Sequence, residues 1–503
     1  MSTYLLGIDL GTSTCKAALF TPDGAVIRQA NASYPVYYPH PGWAEQNPDE
    51  WWDGVCRAVR EVIETSGIDP ADIAGVGVDG QSWSAVAVDG EGNALINNPI
   101  WMDARSQAQC DRIAQTLGSD RVFNVCGNPL NPAYSLPKIL WYKDEHPDVY
   151  KKTDKILQSN GFIAYRLTGE FSQDKSQGYG HACFDMRNAV WDMDFARDLG
   201  IRTDLLPEIC DCHQVIGRVT EQAAKQTGLC PGTPVVAGGL DAACGTLGAG
   251  VYKNGQTQEQ GGQAGGMSIC IDKYAADERL ILSCHVVPDL WILQGGTVGG
   301  GGAIKWLSEQ VCAAEGMLAK ENGTSIFEEM STAAETIAPG SDGLVFLPYM
   351  SGERSPIWDI HAKGVYFGLN YAKTRAHMIR SCMEGVAFSL RHNLEIAAQA
   401  GAPVSEMHAM GGAANSRVWT QIKADVTGCT IHVPASDTAS TLGAAILAGV
   451  GVGVYPDFEN AVSRTVSVRR THTPNPANYA AYDRNYNKYL KLYTQLKDLM
   501  REE

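Results

Sequence analysis

The stretch Gly7-Ile8-Asp9-Leu10-Gly11-Thr12-Ser13-Thr14-Cys15-Lys16, continued by Ala17-Ala18-Leu19-Phe20, decides the first element of the fold. Apolar residues on both sides of Gly11 predict a strand, a tight turn and a second strand, and glycine permits such a turn. Backbone N–H groups and hydroxyls in a turn of this kind suit phosphate oxygens. The sequence therefore predicts a phosphate-binding turn with a positive charge beside it, formed by Gly11, Thr12, Ser13, Thr14 and Lys16.

A carboxylate, Asp9, stands at the end of the first predicted strand, directly before this turn. At that position it could hold Mg²⁺ through water. No helical pattern follows the turn, so the stretch differs from the Gly-x-x-x-x-Gly-Lys-Ser/Thr phosphate loop. The alternative is an ordinary hairpin with polar residues in its turn.

Length and charge limit the class of protein. At 503 residues the chain is too long for one hydrophobic core, and we expect two domains, residues 1–246 and 247–503. The formal net charge of −16 argues against a general nucleic-acid binder and against an acidic membrane surface as partner. Neither a signal peptide nor an apolar run of membrane-spanning length is visible, which favours a cytoplasmic protein without a membrane partner.

The 14 cysteines are scattered along the chain, and we expect them to be reduced, mostly buried thiols. One cluster, Cys210-Asp211-Cys212-His213, resembles part of a metal site. No second pair lies at zinc-site spacing, so we interpret the cluster as structural.

A buried strand over residues 73–78 delivers Asp79-Gly80-Gln81-Ser82-Trp83-Ser84 to a strand end. Ligands collect at such ends in α/β sheets. Further along, Trp101, Asp103 and Arg105 alternate in an extended segment, a mixture of flat apolar surface and charge that suits a sugar. The alternative for this second segment is a surface ion pair beside a core tryptophan.

A second strand end, in Val235-Val236-Ala237-Gly238-Gly239-Leu240-Asp241, presents one carboxylate in an apolar, glycine-rich setting. Burial of Asp241 there would be costly without a role or a partner. We therefore predict that Asp241 is the general base of the protein. A helix-capping aspartate before Ala242 is a sound alternative, and both roles can hold at once.

The second half of the chain repeats the features of the first. A glycine-rich hairpin, Gly261-Gly262-Gln263-Ala264-Gly265-Gly266, echoes the first hairpin, as expected for a duplicated fold. Two glycine segments then lead into predicted helices, whose N-termini can meet a polyphosphate. The nucleotide-binding candidates in these segments are Gly300, Gly301, Lys305, Gly411, Gly412 and Asn415. A tyrosine stripe from Tyr482 to Tyr493 predicts a C-terminal helix that packs on the core.

In their order and spacing, these segments resemble the FGGY family of carbohydrate kinases, nearest to the xylulokinases, over nearly the whole chain. The matching segments are Asp9-Leu10-Gly11-Thr12-Ser13 with Lys16, Trp101-Met102-Asp103-Ala104-Arg105, Gly239-Leu240-Asp241, Pro348-Tyr349-Met350-Ser351-Gly352-Glu353-Arg354-Ser355-Pro356, Gly364-Val365-Tyr366-Phe367-Gly368-Leu369 with His377 and Glu384, and Gly411-Gly412-Ala413.

The resemblance implies an α/β fold of two ribonuclease-H-like domains, of the actin and hexokinase type, around a central catalytic cleft that closes on its substrates. ATP phosphates would meet the Thr12–Ser13 turn and the Gly299–Gly302 loop, and adenosine would lie along Gly411, Gly412 and Asn415. Asp9 would orient Mg²⁺, and Asp241 would take the proton from the sugar hydroxyl. The resemblance also implies a homodimer.

Two departures from the xylulokinase pattern concern the substrates. Where typical members resemble Gly-Gln-Met-His-Gly, this chain has Gly80-Gln81-Ser82-Trp83-Ser84, so a tryptophan replaces a histidine beside the sugar. The resemblance places Gln81, Ser82 and Trp83 in the sugar site. The family's Gly-Thr-Ser-Gly becomes Gly262-Gln263-Ala264-Gly265, which exchanges a hydroxyl on the phosphate side for an amide.

Three functions follow as hypotheses. The first is ATP-dependent phosphorylation of a ketopentose, D-xylulose to D-xylulose 5-phosphate. The second keeps the reaction but changes the acceptor to another ketose, a polyol or a small signalling carbohydrate. The third is an actin- or chaperone-like ATPase that switches a partner. ATP turnover measured with and without sugars separates the third from the other two.

Overall fold

The fold contains two mixed seven-stranded sheets, one in each half of the chain, seen in a computed structural model that describes residues 3–436 and 438–502. The strands of the first sheet are Tyr4–Leu10, Thr14–Phe20, Val26–Ser33, Ile73–Gly80, Val215–Arg218, Pro234–Val236 and Gly239–Leu240. Those of the second are Gln256–Gly261, Gly265–Ile271, Ile281–Cys284, Trp291–Thr297, Glu406–Met410, Thr430–Pro434 and Val468–His472.

The predicted hairpin is present. Tyr4–Leu10 pairs antiparallel with Thr14–Phe20, which in turn pairs antiparallel with Val26–Ser33. On its other side Tyr4–Leu10 pairs parallel with Ile73–Gly80, next to Pro234–Val236. The second sheet repeats this arrangement around Gln256–Gly261, with antiparallel strands on one side and parallel strands on the other. The duplication expected from the two hairpins is therefore confirmed.

Short two-stranded ribbons and helices complete the two halves. The ribbons are Glu45–Gln46 with Asn98–Pro99, Val86–Val88 with Lys155–Leu157, Gln173–Asp174 with Ile209–Cys210, Phe184–Asp185 with Val190–Trp191, and Val345–Leu347 with Val365–Phe367. The α-helices are Pro48–Ser66, Gln107–Leu117, Ser119–Cys126, Ser135–Glu145, Pro147–Lys152, Ser159–Thr168, Met193–Asp198, Glu221–Thr227, Asp241–Gly248, Gly301–Gln310, Ala313–Asn322, Ile326–Glu335, Arg375–Gln399, Arg417–Thr427, Ala439–Gly451, Phe458–Thr465 and Tyr479–Leu496. Short 3₁₀ turns span Pro70–Asp72, Lys175–Gly180, Thr203–Leu205, Ser341–Gly343, Gly412–Asn415, Pro476–Asn478 and Leu499–Arg501.

Local sequence explains several of these boundaries. The side chain of Asn47 accepts the backbone N–H of Asp49 and caps the helix that begins at Pro48, as predicted. Gly67, in the left-handed conformation, follows the end of that helix. At the C-terminus, the tyrosine stripe of Tyr479–Leu496 faces the core, where Tyr482, Tyr486 and Tyr489 are buried.

The two halves meet where helix Ala439–Gly451 lies across the first sheet and against helix Asp241–Gly248. The backbones touch directly because glycines leave room for them. A Cβ on Gly7 would overlap the Thr441 carbonyl oxygen, and one on Gly77 would overlap that of Ala444. Between the helices, Gly443 stands against the Cys244 carbonyl in the same way. The largest hydrophobic cluster spans this junction and includes Leu5, Leu240 and Leu442.

We predict that Gly7→Ala lowers the free energy of unfolding by about 3 kcal/mol, because the added methyl group has to displace a whole helix. The matched control is Gly90→Ala, since no atom lies within 4 Å of where its Cβ would stand. We expect the control to stay within about 0.5 kcal/mol of the parent in denaturant unfolding. Equal stability of the two variants would contradict the close contact at the junction.

Candidate active site

Three aspartates converge at the carboxyl ends of neighbouring strands in the first sheet. Asp9 and Asp79 occupy paired positions on parallel strands, and Gly239 is the partner of Asp79 on its other side. Asp241 follows Gly239 by two residues and begins helix Asp241–Gly248. Sequence reasoning selected two of these carboxylates but missed Asp79, although it too ends a buried apolar strand.

Burial raises the pKa of all three carboxyl groups, and the charge of neighbouring carboxylates adds to the shift at Asp79 and Asp241. Asp79 is fully buried, and its pKa is raised well above the usual range by burial and by the charges of Asp9 and Asp241. Burial also raises the pKa of Asp9, against the opposing charge of Lys16. Asp241 is partly buried, and desolvation with the charge of Asp9 raises its pKa to about 7. A carboxyl group with a pKa near neutrality suits proton transfer.

A buried polar network fixes the backbone that carries Asp241. Ser176 Oγ accepts the backbone N–H of Leu240 at 2.9 Å and donates to Asp174 at 2.5 Å. The Asn160 side-chain amide donates to the same carboxylate at 3.0 Å. Asp241 itself accepts the N–H of Ala242 at 2.6 Å, but it is the first residue of its helix, and Leu240 occupies the N-cap position without a side-chain capping hydrogen bond. The helix-capping alternative is therefore wrong, and the role of Asp241 as general base stays a prediction.

Hydrogen bonds hold one side of the predicted phosphate turn, and its other side is exposed. The Trp101 indole donates to Thr12 Oγ1 at 2.9 Å, and the Gln46 side chain donates to the Thr12 carbonyl at 2.7 Å. Gly11 N–H closes the turn onto the Thr14 carbonyl at 3.2 Å. On the open side, Ser13 and Lys16 are exposed, which leaves their polar groups accessible to a ligand.

The loop after strand Ile73–Gly80 contains the next group of predicted site residues. Gln81 is buried and donates to Gln46 Oε1 at 2.8 Å, while its own Oε1 is buried without a partner. Ser82 Oγ accepts the Tyr179 hydroxyl at 3.3 Å. These contacts tie the loop to the elements on either side of it.

Trp83 adopts the left-handed backbone conformation with a φ of 60°, uncommon for a bulky residue. Its ring packs against Tyr134 at 4.7 Å and Tyr179 at 5.8 Å between centroids, and it is partly buried. Burial raises the pKa of Tyr179, and the nearby charge of Asp241 adds to that shift. An aromatic group therefore stands beside the predicted base.

Asp103 and Arg105 are paired with each other rather than open to a ligand. Asp103 accepts from Arg105 and from the Ala44 N–H, and Arg105 also pairs with Glu45 at 2.8 Å. The guanidinium lies 3.8 Å from the Trp43 ring centroid, and both charged side chains are nearly fully buried. The geometry favours the ion-pair alternative, in a buried form. Direct sugar contact by Asp103 or Arg105 stays a prediction.

The second half contains a cavity of about 670 Å³. Its walls come from the glycine hairpin, the short turn Gly412–Asn415 and four helices, Gly301–Gln310, Ile326–Glu335, Arg375–Gln399 and Arg417–Thr427. Six residues predicted for the nucleotide line it: Gly262, Gln263, Gly301, Lys305, Gly412 and Asn415. Two further residues were predicted for the nucleotide. Gly300 directly precedes helix Gly301–Gln310. Gly411 has a backbone φ of 82°, and a Cβ added to it would lie close to the Gly261 carbonyl.

Sequence reasoning missed the apolar walls of this cavity, formed by Ile304, Phe327, Met383 and Trp419. Ser331 and Ser416 share a hydrogen bond of 2.9 Å at its edge. Apolar walls with polar groups at the edge of the cavity suit a flat, aromatic nucleobase with polar atoms along its rim. The available signal was the capping box at Ser325 and Glu328, which marks a helix start beside Phe327.

Comparison with known proteins matches the model of the FGGY carbohydrate kinase N-terminal domain to residues 4–248 and that of the C-terminal domain to residues 278–452. The chain belongs to the FGGY family of carbohydrate kinases. It is therefore a carbohydrate kinase with the actin- and hexokinase-like fold that the sequence predicted. Membership replaces the hypothesis of an ATPase that switches a partner.

Curated relatives of this kinase extend over its whole length. The xylulose kinase of Bacillus subtilis is 30% identical over 99% of this chain and 98% of its own. A gluconokinase of the same organism is also 30% identical, over 94% of this chain and 92% of its own. Among solved structures, the xylulose kinase of Rhodospirillum rubrum superposes with a TM-score of 0.90 at 29% identity, covering 99% and 100% of the two chains.

Other expectations concern metals, thiols and membranes. All 14 cysteines are free, and Cys210 and Cys212 are buried. Between residues 3 and 502, with Asp437 left aside, no group of three or more His, Cys, Asp and Glu side chains has the arrangement of a metal centre. Within the same residues, no helix is both long and apolar enough to span a membrane. The homodimer stays a prediction.

We predict that Gly412→Leu blocks the cavity without harming the fold. No atom lies within 4 Å of the Cβ that the substitution would add, and the residue lines the cavity. We expect calorimetry to show ADP affinity reduced by at least about tenfold, a loss of about 1.4 kcal/mol. The control Gly90→Leu should bind ADP like the parent. Unchanged affinity in Gly412→Leu would place the nucleotide elsewhere.

Proposed function

We propose that this kinase transfers the γ-phosphoryl group of ATP to a ketopentose and converts D-xylulose to D-xylulose 5-phosphate. The observation that carries the proposal is Asp241, a carboxyl group with its pKa near 7, fixed at a strand end beside Asp9 and an aromatic group. Relatives named xylulose kinase support this acceptor. The gluconokinase relative makes another polyhydroxylated acceptor the second candidate.

ATP fits the two halves of the site. The cavity of the second half offers apolar walls for adenine and a glycine helix start for phosphates. The hairpin turn of the first half presents Ser13 and Lys16 from the other side of the cleft. None of the described residues that line the cavity comes from this turn, so transfer requires the halves to approach each other. Closure would also exclude water as a competing acceptor.

The carboxylates fit the Mg²⁺ ion implied by the family. Asp9 and Asp79 lie side by side, and both Asp79 oxygens are buried without a hydrogen-bonding partner outside this pair. Two such groups require a nearby cation if both are to ionise. Asp9, supported by Asp79, would hold the ion directly or through water. Bound there, Mg²⁺ would neutralise charge on the transferring phosphoryl group.

The chain's own groups account for the remaining chemistry. Asp241 accepts the proton of the attacking sugar hydroxyl, and the Ser176 network keeps its backbone in place. Lys16 and Ser13 orient phosphate oxygens. Trp83 covers the C–H face of the sugar while Gln81 Oε1, buried without a partner, accepts a sugar hydroxyl. Phosphoryl transfer depends on this positioning more than on covalent chemistry.

A coupled ADP-release screen over pentuloses, hexuloses, polyols and gluconate tests the proposal. We expect the highest kcat/KM with D-xylulose and a reduction of about 10²–10⁴-fold in Asp241→Asn, because a general base is lost. Asp241 must be ionised, so kcat/KM for the sugar should rise with pH up to about 7 and then level off. Thr246, on the same helix, provides the fold control Thr246→Ser.

Preference for gluconate or a polyol would replace D-xylulose as the acceptor. Near-normal turnover of Asp241→Asn with normal sugar binding would remove Asp241 from the role of base. A pH profile that falls between pH 6 and pH 8 would contradict the ionisation that the mechanism requires.

We predict opposite effects of Asp79→Asn on metal-nucleotide affinity and on stability. In the parent, Mg²⁺ should increase the affinity for ADP. In Asp79→Asn most of this increase in affinity should be lost, because the carboxylate beside Asp9 has been removed. At pH 8 the variant should melt at a higher temperature, because ionisation of Asp79 costs stability as pH rises through its raised pKa. Calorimetry with and without Mg²⁺ measures the first effect. An unchanged Mg²⁺ gain would exclude Asp79 from the metal site.

A further inference from the structure

A fully buried lysine, Lys138, lies beneath the predicted sugar site on helix Ser135–Glu145. Its Nζ donates to the Trp83 carbonyl at 2.7 Å and to the Ile100 carbonyl at 3.0 Å. One carbonyl belongs to the loop of Gln81 and Trp83. The other directly precedes Trp101, whose indole holds the phosphate turn. One ammonium group therefore joins the Trp83 loop to the segment that ends at Ile100.

The same helix binds three consecutive carbonyls of the loop. Ser135 Oγ donates to the Ser84 carbonyl at 2.7 Å, and the Tyr142 hydroxyl donates to that of Ala85 at 3.0 Å. The first of the three carbonyls is that of Trp83, which accepts from Lys138. Trp83 is also the residue with the left-handed backbone conformation. A bulky residue persists in that conformation only when its surroundings impose it. The contacts of this helix supply that constraint.

The charge of Lys138 is costly where it lies. Asp103 and Arg105 are the charged groups that act on it, and Asp103 is already paired with Arg105. Burial lowers the pKa of Lys138 to about 7. An apolar side chain of similar length would avoid this cost, so the ammonium is better explained by the two carbonyls that it joins.

We propose that Lys138 is a positioning residue that shapes the acceptor pocket by tying the Trp83 loop to the segment before Trp101. The proposal deepens the proposed function and rests on it for the identity of the acceptor. Without the ammonium, the Trp83 carbonyl loses the donor on Lys138, while the Ile100 carbonyl keeps only the backbone N–H of Asp103. The tie between the two segments is then broken, and the backbone of Trp83 is free to leave its left-handed conformation. The Trp83 ring then leaves Tyr134, and the fit of the sugar changes. The nucleotide cavity lies in the other half of the chain and should not respond.

The test compares Lys138→Met with Lys143→Met. Lys143 is a matched control, since it lies on the same helix and also donates to a carbonyl, that of Gly200, but at the protein surface. For both variants we would measure kcat/KM for D-xylulose, KM for ATP, calorimetric ADP affinity, the melting temperature and hydrogen exchange of peptides over residues 81–104.

In Lys138→Met we expect kcat/KM for the sugar to fall about 10- to 100-fold, as for the loss of a charged hydrogen bond. KM for ATP and ADP affinity should stay within about twofold, and exchange should accelerate over residues 81–104. Lys143→Met should match the parent in all these properties. Lys138→Arg keeps a charged donor, so it should recover part of the sugar activity and of the exchange protection.

Unchanged hydrogen exchange over residues 81–104 in a folded Lys138→Met would overturn the proposal. Impairment of KM for ATP by the same factor as kcat/KM for the sugar would also overturn it. If Lys138→Met does not fold, Lys138→Gln decides, because its shorter side chain keeps a donor but cannot reach both carbonyls. A changed ranking of sugars with parental ADP affinity in Lys138→Gln supports positioning, and a parental ranking with parental exchange overturns it. If the parent phosphorylates no pentulose, the proposed acceptor fails, while the exchange and ADP measurements still decide the tie between the two segments.

Discussion

Helix Ala439–Gly451 rests directly on the backbone of the first sheet, and the site depends on this contact. Glycine at positions 7 and 77 lets the helix approach, and Gly443 lets it pack against helix Asp241–Gly248. Because Asp241 begins that second helix, the proposed base is attached to the junction between the halves. Two residues beyond Gly7 and Gly77, the same strands carry Asp9 and Asp79, each one residue before the end of its strand. The same close packing therefore connects the halves and places three carboxylates together.

This packing has an electrostatic consequence. Carboxyl groups brought together in a buried place resist ionisation, and the raised pKa of each of the three records this. The arrangement costs stability at neutral pH, as functional sites commonly do. What it provides is a carboxyl group able to exchange protons near pH 7, beside a position suited to a cation. The loss of stability and the proposed proton transfer therefore both result from placing three carboxyl groups together in a buried site.

Much of this fold could be predicted from local sequence, because glycine turns, capping residues and apolar periodicity act over short distances. The first hairpin, the helix from Pro48 and the duplication were predicted and are present. Asp79 was placed at a strand end but given no role, because its pairing with Asp9 on a parallel strand is seen only in the tertiary structure. The pairing of Asp103 with Arg105 was left open, because only the tertiary structure shows that Glu45 and Trp43 enclose it. The apolar walls of the cavity come from four distant segments, which no local pattern connects.

The surfaces predicted for the nucleotide and for the sugar differ in construction, which offers a physical reason why relatives named for different substrates share one fold. The predicted nucleotide cavity combines glycine backbone with apolar side chains contributed by four helices, namely Ile304, Phe327, Met383 and Trp419. The acceptor loop instead depends on side chains that bind its carbonyls from helix Ser135–Glu145. Within such a frame, Trp83 can replace a histidine without disturbing the strand ends that carry Asp9 and Asp241. A methylene-scale change of fit alters selectivity by only about 1–3 kcal/mol, so an exchange at one loop residue shifts the ranking of acceptors while the transfer chemistry is retained.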